Sequence, residues 1–304
     1  MHPVLLRSGS GDDAFVLTSY AVFMVLGVAA IIIVSALVGR RLGLPPRKVA
    51  IAYAIACALG FVGGRLLHMA VNWQAYSDDL GLLWRINLGG FQIFGALALG
   101  AVGVFVAARI QHLPLWRLAD AGSVGLGIGI ALIKTGCYLN GCCYGRETAQ
   151  PWGVTFPRGS AAWQHQVVNG VTALFGGGRT HAVQPTQLFE VAAALSGAVI
   201  AALLLRGRSV VADDGRRARR RAPAGVAFLV FLLWFSAWRL VIYAWQVRPT
   251  SFSAPRWFYP AVYLLLIVGC VVQLVWRRHR IAPPAPTQAA SGDAAEVPPP
   301  VPTR

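Results

Sequence analysis

Seven apolar runs, each about 20 residues long, leave this chain one class of fold. A bilayer's hydrocarbon core is about 30 Å thick, and a helix needs about 20 apolar residues to cross it. Only a helix or a closed barrel satisfies its backbone hydrogen bonds in lipid. The runs fall at about 17–38, 49–71, 89–108, 118–138, 186–205, 224–246 and 257–276. The first contains "VFMVLGVAAIIIVSALVG", without a charge, and the fourth is the weakest because it holds Asp120, Lys134 and many glycines. Composition agrees: only 12% of the 304 residues are charged, about half the share of a soluble domain. The expected fold is an all-α polytopic membrane protein with about seven transmembrane helices. The start, "MHPVLLRSGSGDD", has no apolar core leading to a cleavage site, so no signal peptide is expected.

The formal net charge of +16 raises the question of nucleic acid, and its distribution answers it. Arg40, Arg41, Arg47 and Lys48 follow span one, and Arg109 and Arg117 follow span three. Arg206, Arg208 and the run from Arg216 to Arg221 follow span five, and Arg277, Arg278 and Arg280 follow span seven. The other side carries fewer cations, among them Arg7, Arg85, Arg146, Arg158, Arg179, Arg248 and Arg256. The positive-inside rule then puts the N-terminus outside and the C-terminus in the cytoplasm. The basic excess is assigned to topology and anionic lipid, with no nucleic-acid partner. Trp84, Trp116, Trp245 and Tyr259 sit where interfacial anchors belong.

This orientation divides the chain. Residues 1–16 form an external tail, 17–278 the seven-span domain, and 279–304 a Pro/Ala-rich cytoplasmic tail that cannot build a core. Within the domain, 206–223 is a basic cytoplasmic loop. Residues 139–185, between spans four and five, are aromatic enough to fold as a small external head.

Chemistry gathers at the outer ends of spans four and five. "TGCYLNGCCYGRETAQPWGVTFP" (135–157) packs Cys137, Cys142 and Cys143 with Asn140, Gly141, Gly145 and Arg146, just after Lys134. "HAVQPTQLFE" (181–190) opens span five on the same side. Charges within spans are costly unless paired or wetted, and few occur: Arg65, Asp120, Lys134, Glu190 and Arg239. Asp120 reads as an acid at a helix N-terminus. An ion pair between Glu190 and Arg239 is the plain structural reading. Three deep cations against one deep carboxylate also suit an anionic ligand such as a lipid phosphate. "GLGIG" (125–129) reads as close span packing, not a phosphate loop.

These residues resemble the bacterial prolipoprotein diacylglyceryl transferases, seven-span enzymes that move diacylglyceryl from phosphatidylglycerol to a lipobox cysteine thiol. The family signature reads like "GRIGNFINGELYGR" followed by "PWGVVFP"; here "IKTGCYLNGCCYGR" is followed by "PWGVTFP". "QPTQLFE" is similar to the family's "HPSQLYE", and Gly63, Gly64 and Arg65 match its "GGR". The resemblance implies catalytic roles for Asn140, Glu190 and Arg239. It implies substrate binding by Tyr20, Arg65, Lys134, Gly141, Gly145, Arg146 and Gln187. It also implies an inner-membrane enzyme of lipoprotein biosynthesis, with its active site toward the outer face. Its partners would be phosphatidylglycerol or a related anionic glycerolipid, a prelipoprotein lipobox segment and the bilayer, with no cofactor.

The departures fall within the signature. Its first arginine is Lys134, which keeps the charge and loses the bidentate fork. Its next asparagine is Cys137, and the glutamate after "NG" is Cys142. A histidine implied as base is Phe94, and the histidine of the second element is Gln184. The reaction needs cations to stabilise the departing phosphate and a way to make thiolate. Lys134, Arg146, Arg239 and Arg65 suit the first need, and Glu190 and His181 are left for the second. An alternative is a divergent member acting on another glycerolipid or acceptor, or a non-catalytic lipid-binding protein. The cysteine cluster stays open between a disulfide from Cys137 to a neighbour, a zinc site completed by His181, and a covalent intermediate on Cys142. Cys57 and Cys270, alone in spans, read as small buried hydrophobes.

Overall fold

The computed structural model describes residues 4–8, 15–77, 92–171, 178–211, 217–220, 222–247, 255 and 257–281. Outside these lie the first residues of the third expected span, Trp84, Arg85, Arg248, Arg256 and the terminal segment from 282. Among the described residues, seven helices are long and apolar enough to cross a membrane. They are α1 (Ser19–Arg41), α2 (Pro46–Val71), α4 (Ile93–Ile110), α5 (Leu115–Asn140), α7 (Thr186–Arg206), α8 (Val226–Tyr243) and α9 (Phe258–Ile281). Shorter helices α3 (Trp73–Ser77) and α6 (Ala161–Val168) lie between them. The protein is therefore an all-α multi-pass membrane protein with two small β ribbons. Strand β1 (Val4–Ser8) pairs antiparallel with β2 (Phe15–Thr18) ahead of α1, and β3 (Arg208–Val211) with β4 (Arg217–Arg220) after α7.

Local chemistry sets the helix ends. The Thr18 hydroxyl accepts from the Ala21 N–H at 3.2 Å and caps α1. Pro46 opens α2, where its missing N–H costs nothing. Helix α5 stops at Gly141, whose φ of +72° is the left-handed cap that ends helices.

Packing is inverted relative to a soluble protein. On α1 the buried positions Gly27, Ile31, Ser35 and Gly39 recur every fourth residue, one stripe of mostly small side chains. Val25, Ile33 and Leu37 are exposed on the same helix, as suits a lipid-facing surface. In lipid no hydrophobic drive pulls helices together, so close contact between small residues holds them. Helix α5 is the hub, packed against α1, α7 and α8, while α2 pairs with α4 and α8 with α9. A methyl on Gly129 would stand 2.3 Å from Ile31, and one on Gly127 2.6 Å from the Ala198 methyl. The "GLGIG" stretch is thus the surface on which α1 and α7 lie.

Asp120 departs from its sequence reading. Its own helix has no acid in the first turn. Its carboxylate instead accepts from the Gly225 N–H at 2.6 Å and the Phe228 N–H at 3.0 Å, capping α8 from a neighbouring helix. Arg277 of α9 closes the same corner, with its guanidinium 3.9 Å from the Trp116 ring centre and a hydrogen bond to the Ala224 carbonyl.

Residues 141–171 and 178–185 form a small unit at the end of α5. Its core is Tyr144, Phe156, Ala162 and Val183. Single bridges from Val183 to Glu147 and Val154, and from Arg179 to Pro157, lace it together. The bridge from Gly145 to Gln246 fastens it to the segment after α8.

Candidate functional site

Glu190 organises the site because a buried carboxylate must find partners. It lies in the second turn of α7 and is only 1% exposed. Lys134 of α5 brings its Nζ to 2.7 Å from Oε2, and Arg239 of α8 donates from Nη1 to Oε1. An unpaired charge at this depth costs several kcal/mol, and two cations more than cover it. Arg239 also donates from Nε to the Tyr263 hydroxyl of α9 at 3.1 Å, so four helices meet here. The cluster carries a net single positive charge.

The same helix start grips the loop after α5. Gln187, three residues before Glu190, donates from Nε2 to the Cys142 carbonyl at 2.6 Å. The Thr186 hydroxyl donates to the Cys143 carbonyl at 2.7 Å, and the Gly145 N–H to the Gln184 carbonyl at 2.8 Å. A methyl on Gly145 would meet Gln184, Thr186 and the Trp245 carbonyl within 3 Å, so the backbones approach only because glycine is there. The two sequence elements, "NGCCYGR" and "QPTQLFE", form one structure. The tryptophan of "PWG" joins it, since Trp152 donates to the Gln184 Oε1 at 2.8 Å.

The cysteines lie at this junction. Cys137, Cys142 and Cys143 are free thiols with their sulfurs within 4.8 Å of one another. Hydrogen bonds to Cys137 and Cys142, aided by the Lys134 and Arg239 cations, hold the Cys143 thiol well below the ordinary cysteine value. For Cys142, a hydrogen bond with Cys137 favours the thiolate. Its bond with Cys143 and its burial outweigh that and push it up to about 12. Asn140, the last residue of α5, stands beside Cys142 and favours its thiolate. Tyr20 of α1 is within electrostatic reach of Lys134 and all three thiols.

Two of the expected cations stand elsewhere. Arg146 is exposed, and no ion pair joins it to Glu190 among the described residues. Its main chain is fixed instead, with the N–H on the Trp245 carbonyl at 2.7 Å. Arg65 in α2 lies over the Tyr76 ring at 5.6 Å from its centre. Phe94 packs in an aromatic cluster against Phe258 and Tyr259, with ring centres 5.5 and 5.2 Å away. His181 is mostly exposed and sits 3.6 Å from the Glu147 carboxylate. Sequence reasoning missed Tyr263, the second of two tyrosines in an apolar span, whose only signal was its hydroxyl. It missed Thr186 too, which hides between two matched positions.

The arrangement offers a cationic pair beside a thiol-rich loop. A Mycobacterium leprae protein named phosphatidylglycerol–prolipoprotein diacylglyceryl transferase is 36% identical over 181 residues, covering 57% of this chain and 54% of its own. Proteins of the same name from Mycolicibacterium paratuberculosis and Mycobacterium bovis are each 34% identical, covering 65% of this chain and 47% and 43% of their own. The chain spans about half the length of these curated relatives. Matched over residues 12–276 by the family model described as prolipoprotein diacylglyceryl transferase, the chain belongs to that family.

Proposed function

We propose that this protein transfers the diacylglyceryl group of phosphatidylglycerol to the thiol of a lipobox cysteine in a prelipoprotein. The proposed setting is the outer face of a bacterial inner membrane, with the N-terminus outside and the C-terminus in the cytoplasm. The names of the relatives support both substrates. The observation that carries the reading is the convergence of Lys134 and Arg239 on Glu190 beside the cysteine loop. Its surplus positive charge suits a phosphodiester, and rigid donors stabilise charge as it develops on a leaving phosphate. Glu190 fixes the two cations and is no general base, because both its oxygens are engaged. Gln187 holds the Cys142 carbonyl beside this cluster, Asn140 ends α5 next to it, Tyr20 is within electrostatic reach of Lys134, and Gly145 lets the backbones come close.

The test is direct. Purified full-length protein is mixed with phosphatidylglycerol vesicles and a lipobox peptide, and the peptide is weighed by mass spectrometry. A diacylglyceryl thioether on the cysteine peptide, absent from the serine peptide, is the expected product. Lipid binding with no product from either peptide would overturn the reading.

A further inference from the structure

We propose that Cys137, Cys142 and Cys143 hold a zinc ion whose fourth position receives the acceptor thiol; this rests on the transferase reading above. The geometry is near what the metal asks. The sulfurs lie within 4.8 Å of one another, against about 3.8 Å between ligands of a tetrahedral zinc with bonds of about 2.3 Å. Neighbouring cysteines ordinarily diverge. Here Cys143 has a φ of +60°, a left-handed conformation uncommon outside glycine, and this turn lets its thiol join the other two. The strain is held by the neighbouring carbonyls, pinned by Gln187 and Thr186.

Exposure rises from Cys137 to Cys143. Cys137 is buried, Cys142 half-buried and Cys143 exposed. Among the described residues no His, Asp or Glu completes the group, and His181 is engaged with Glu147 in the head. Three protein ligands with one open position is the arrangement of a catalytic zinc, not a structural one.

The site meets a need that this chain leaves unmet. The acceptor must become a thiolate, yet Phe94 packs among aromatics, Glu190 is engaged by two cations, and His181 stands in the head. A thiol that coordinates zinc is deprotonated outright. The acceptor S–H binds the ion and releases its proton to water. Its sulfur then attacks the glyceryl carbon that bears the phosphate. An S–C bond forms as the C–O bond breaks, and the electron pair leaves with glycerol phosphate toward Lys134 and Arg239. The neutral thioether, a weaker ligand, departs. Nothing is oxidised or reduced.

Cobalt reports the site without relying on activity. Full-length protein in detergent, reduced and stripped with chelator, is titrated with Co²⁺. One ion per chain is expected, with thiolate-to-cobalt charge transfer and the visible bands of a tetrahedral ion, all displaced by Zn²⁺. A lipobox cysteine peptide should then strengthen the charge transfer, and its serine counterpart should not. Cys143→Ser should weaken cobalt binding by more than about a hundredfold, beyond the loss of an outer hydrogen bond. Zinc should also shield all three thiols of the parent from alkylation, a check that needs no variant. Failure of the reduced parent to bind cobalt, or bands indifferent to the cysteine peptide, would overturn the proposal. Full transfer by stripped protein in chelator would remove the zinc and leave the transferase. Peptide-responsive cobalt binding without transfer would do the reverse.

Discussion

Gln187 donates to the Cys142 carbonyl at 2.6 Å from a position one turn ahead of Glu190 on the same helix. The first turns of α7 therefore fix the distance between the ion cluster and the cysteine loop. The side chain is fully buried, and its Oε1 has no protein partner among the described residues. Gln187→Ala would strand the Cys142 carbonyl, at a cost of about 1–3 kcal/mol. Amides 141–146 are expected to exchange with deuterium faster by about five- to hundredfold. Unchanged exchange there would show that Gln187 does not hold the loop.

Glu190 is the member of its cluster whose loss should hurt most. Glu190→Gln leaves two half-buried cations facing each other, and breaking a buried pair costs about 3–5 kcal/mol. Thermal unfolding in detergent should show Glu190→Gln less stable than Lys134→Met, which leaves the carboxylate with Arg239. The double variant Glu190→Gln with Lys134→Met should lose less than the two single losses combined, because it removes opposite charges together. Simple additivity would mean the Lys134 contact is not coupled to Glu190.

Much of this was legible in the sequence, for identifiable reasons. The spans follow from apolar length, and Lys134, Glu190 and Arg239 stand out because charge is rare in an apolar run. The pairing of Glu190 with Arg239 was readable for the same reason. Tyr263 was not, since a tyrosine in a span looks like packing until its hydroxyl finds Arg239. Arg146 was expected beside the other cations. Its loop path is set by the left-handed Gly141 and by main-chain pairing to Trp245, a contact far away in sequence. Asp120 was readable as a helix-capping acid, but only the packing of α5 on α8 selects which helix it caps.

The two neighbouring thiols should differ in reactivity by pH. Cys143 is held well below the ordinary cysteine value, and Cys142 is pushed up to about 12. A lowered value means thiolate persists as pH falls, so Cys143 should alkylate readily at neutral and mildly acidic pH. Cys142 should stay a thiol and react slowly until the medium is strongly alkaline. Timed iodoacetamide labelling of metal-free, reduced protein, read by peptide mass spectrometry, checks this order. Equal rates at neutral pH would refute it.

Asp120 provides a contrast, a buried charge whose work is structural. Its two oxygens take the Gly225 and Phe228 amides, the first donors of α8, which have no partners within their own helix. A carboxylate there also faces the positive end of the helix dipole. Asp120→Ala removes both acceptors, and loss of a cap costs about 0.5–2 kcal/mol. Asp120→Asn keeps one acceptor and should lose less. Because α8 carries Arg239, some loosening reaches the site, but Asp120 touches neither Glu190 nor the cysteine loop. Melting should therefore fall in the order parent, Asp120→Asn, Asp120→Ala. Binding of phosphatidylglycerol to the folded variants should stay within about threefold of the parent, whereas Arg239→Ala should weaken it by about ten- to hundredfold. If Asp120→Ala weakens lipid binding as much as Arg239→Ala while melting like the parent, then Asp120 belongs to the site and not to the scaffold.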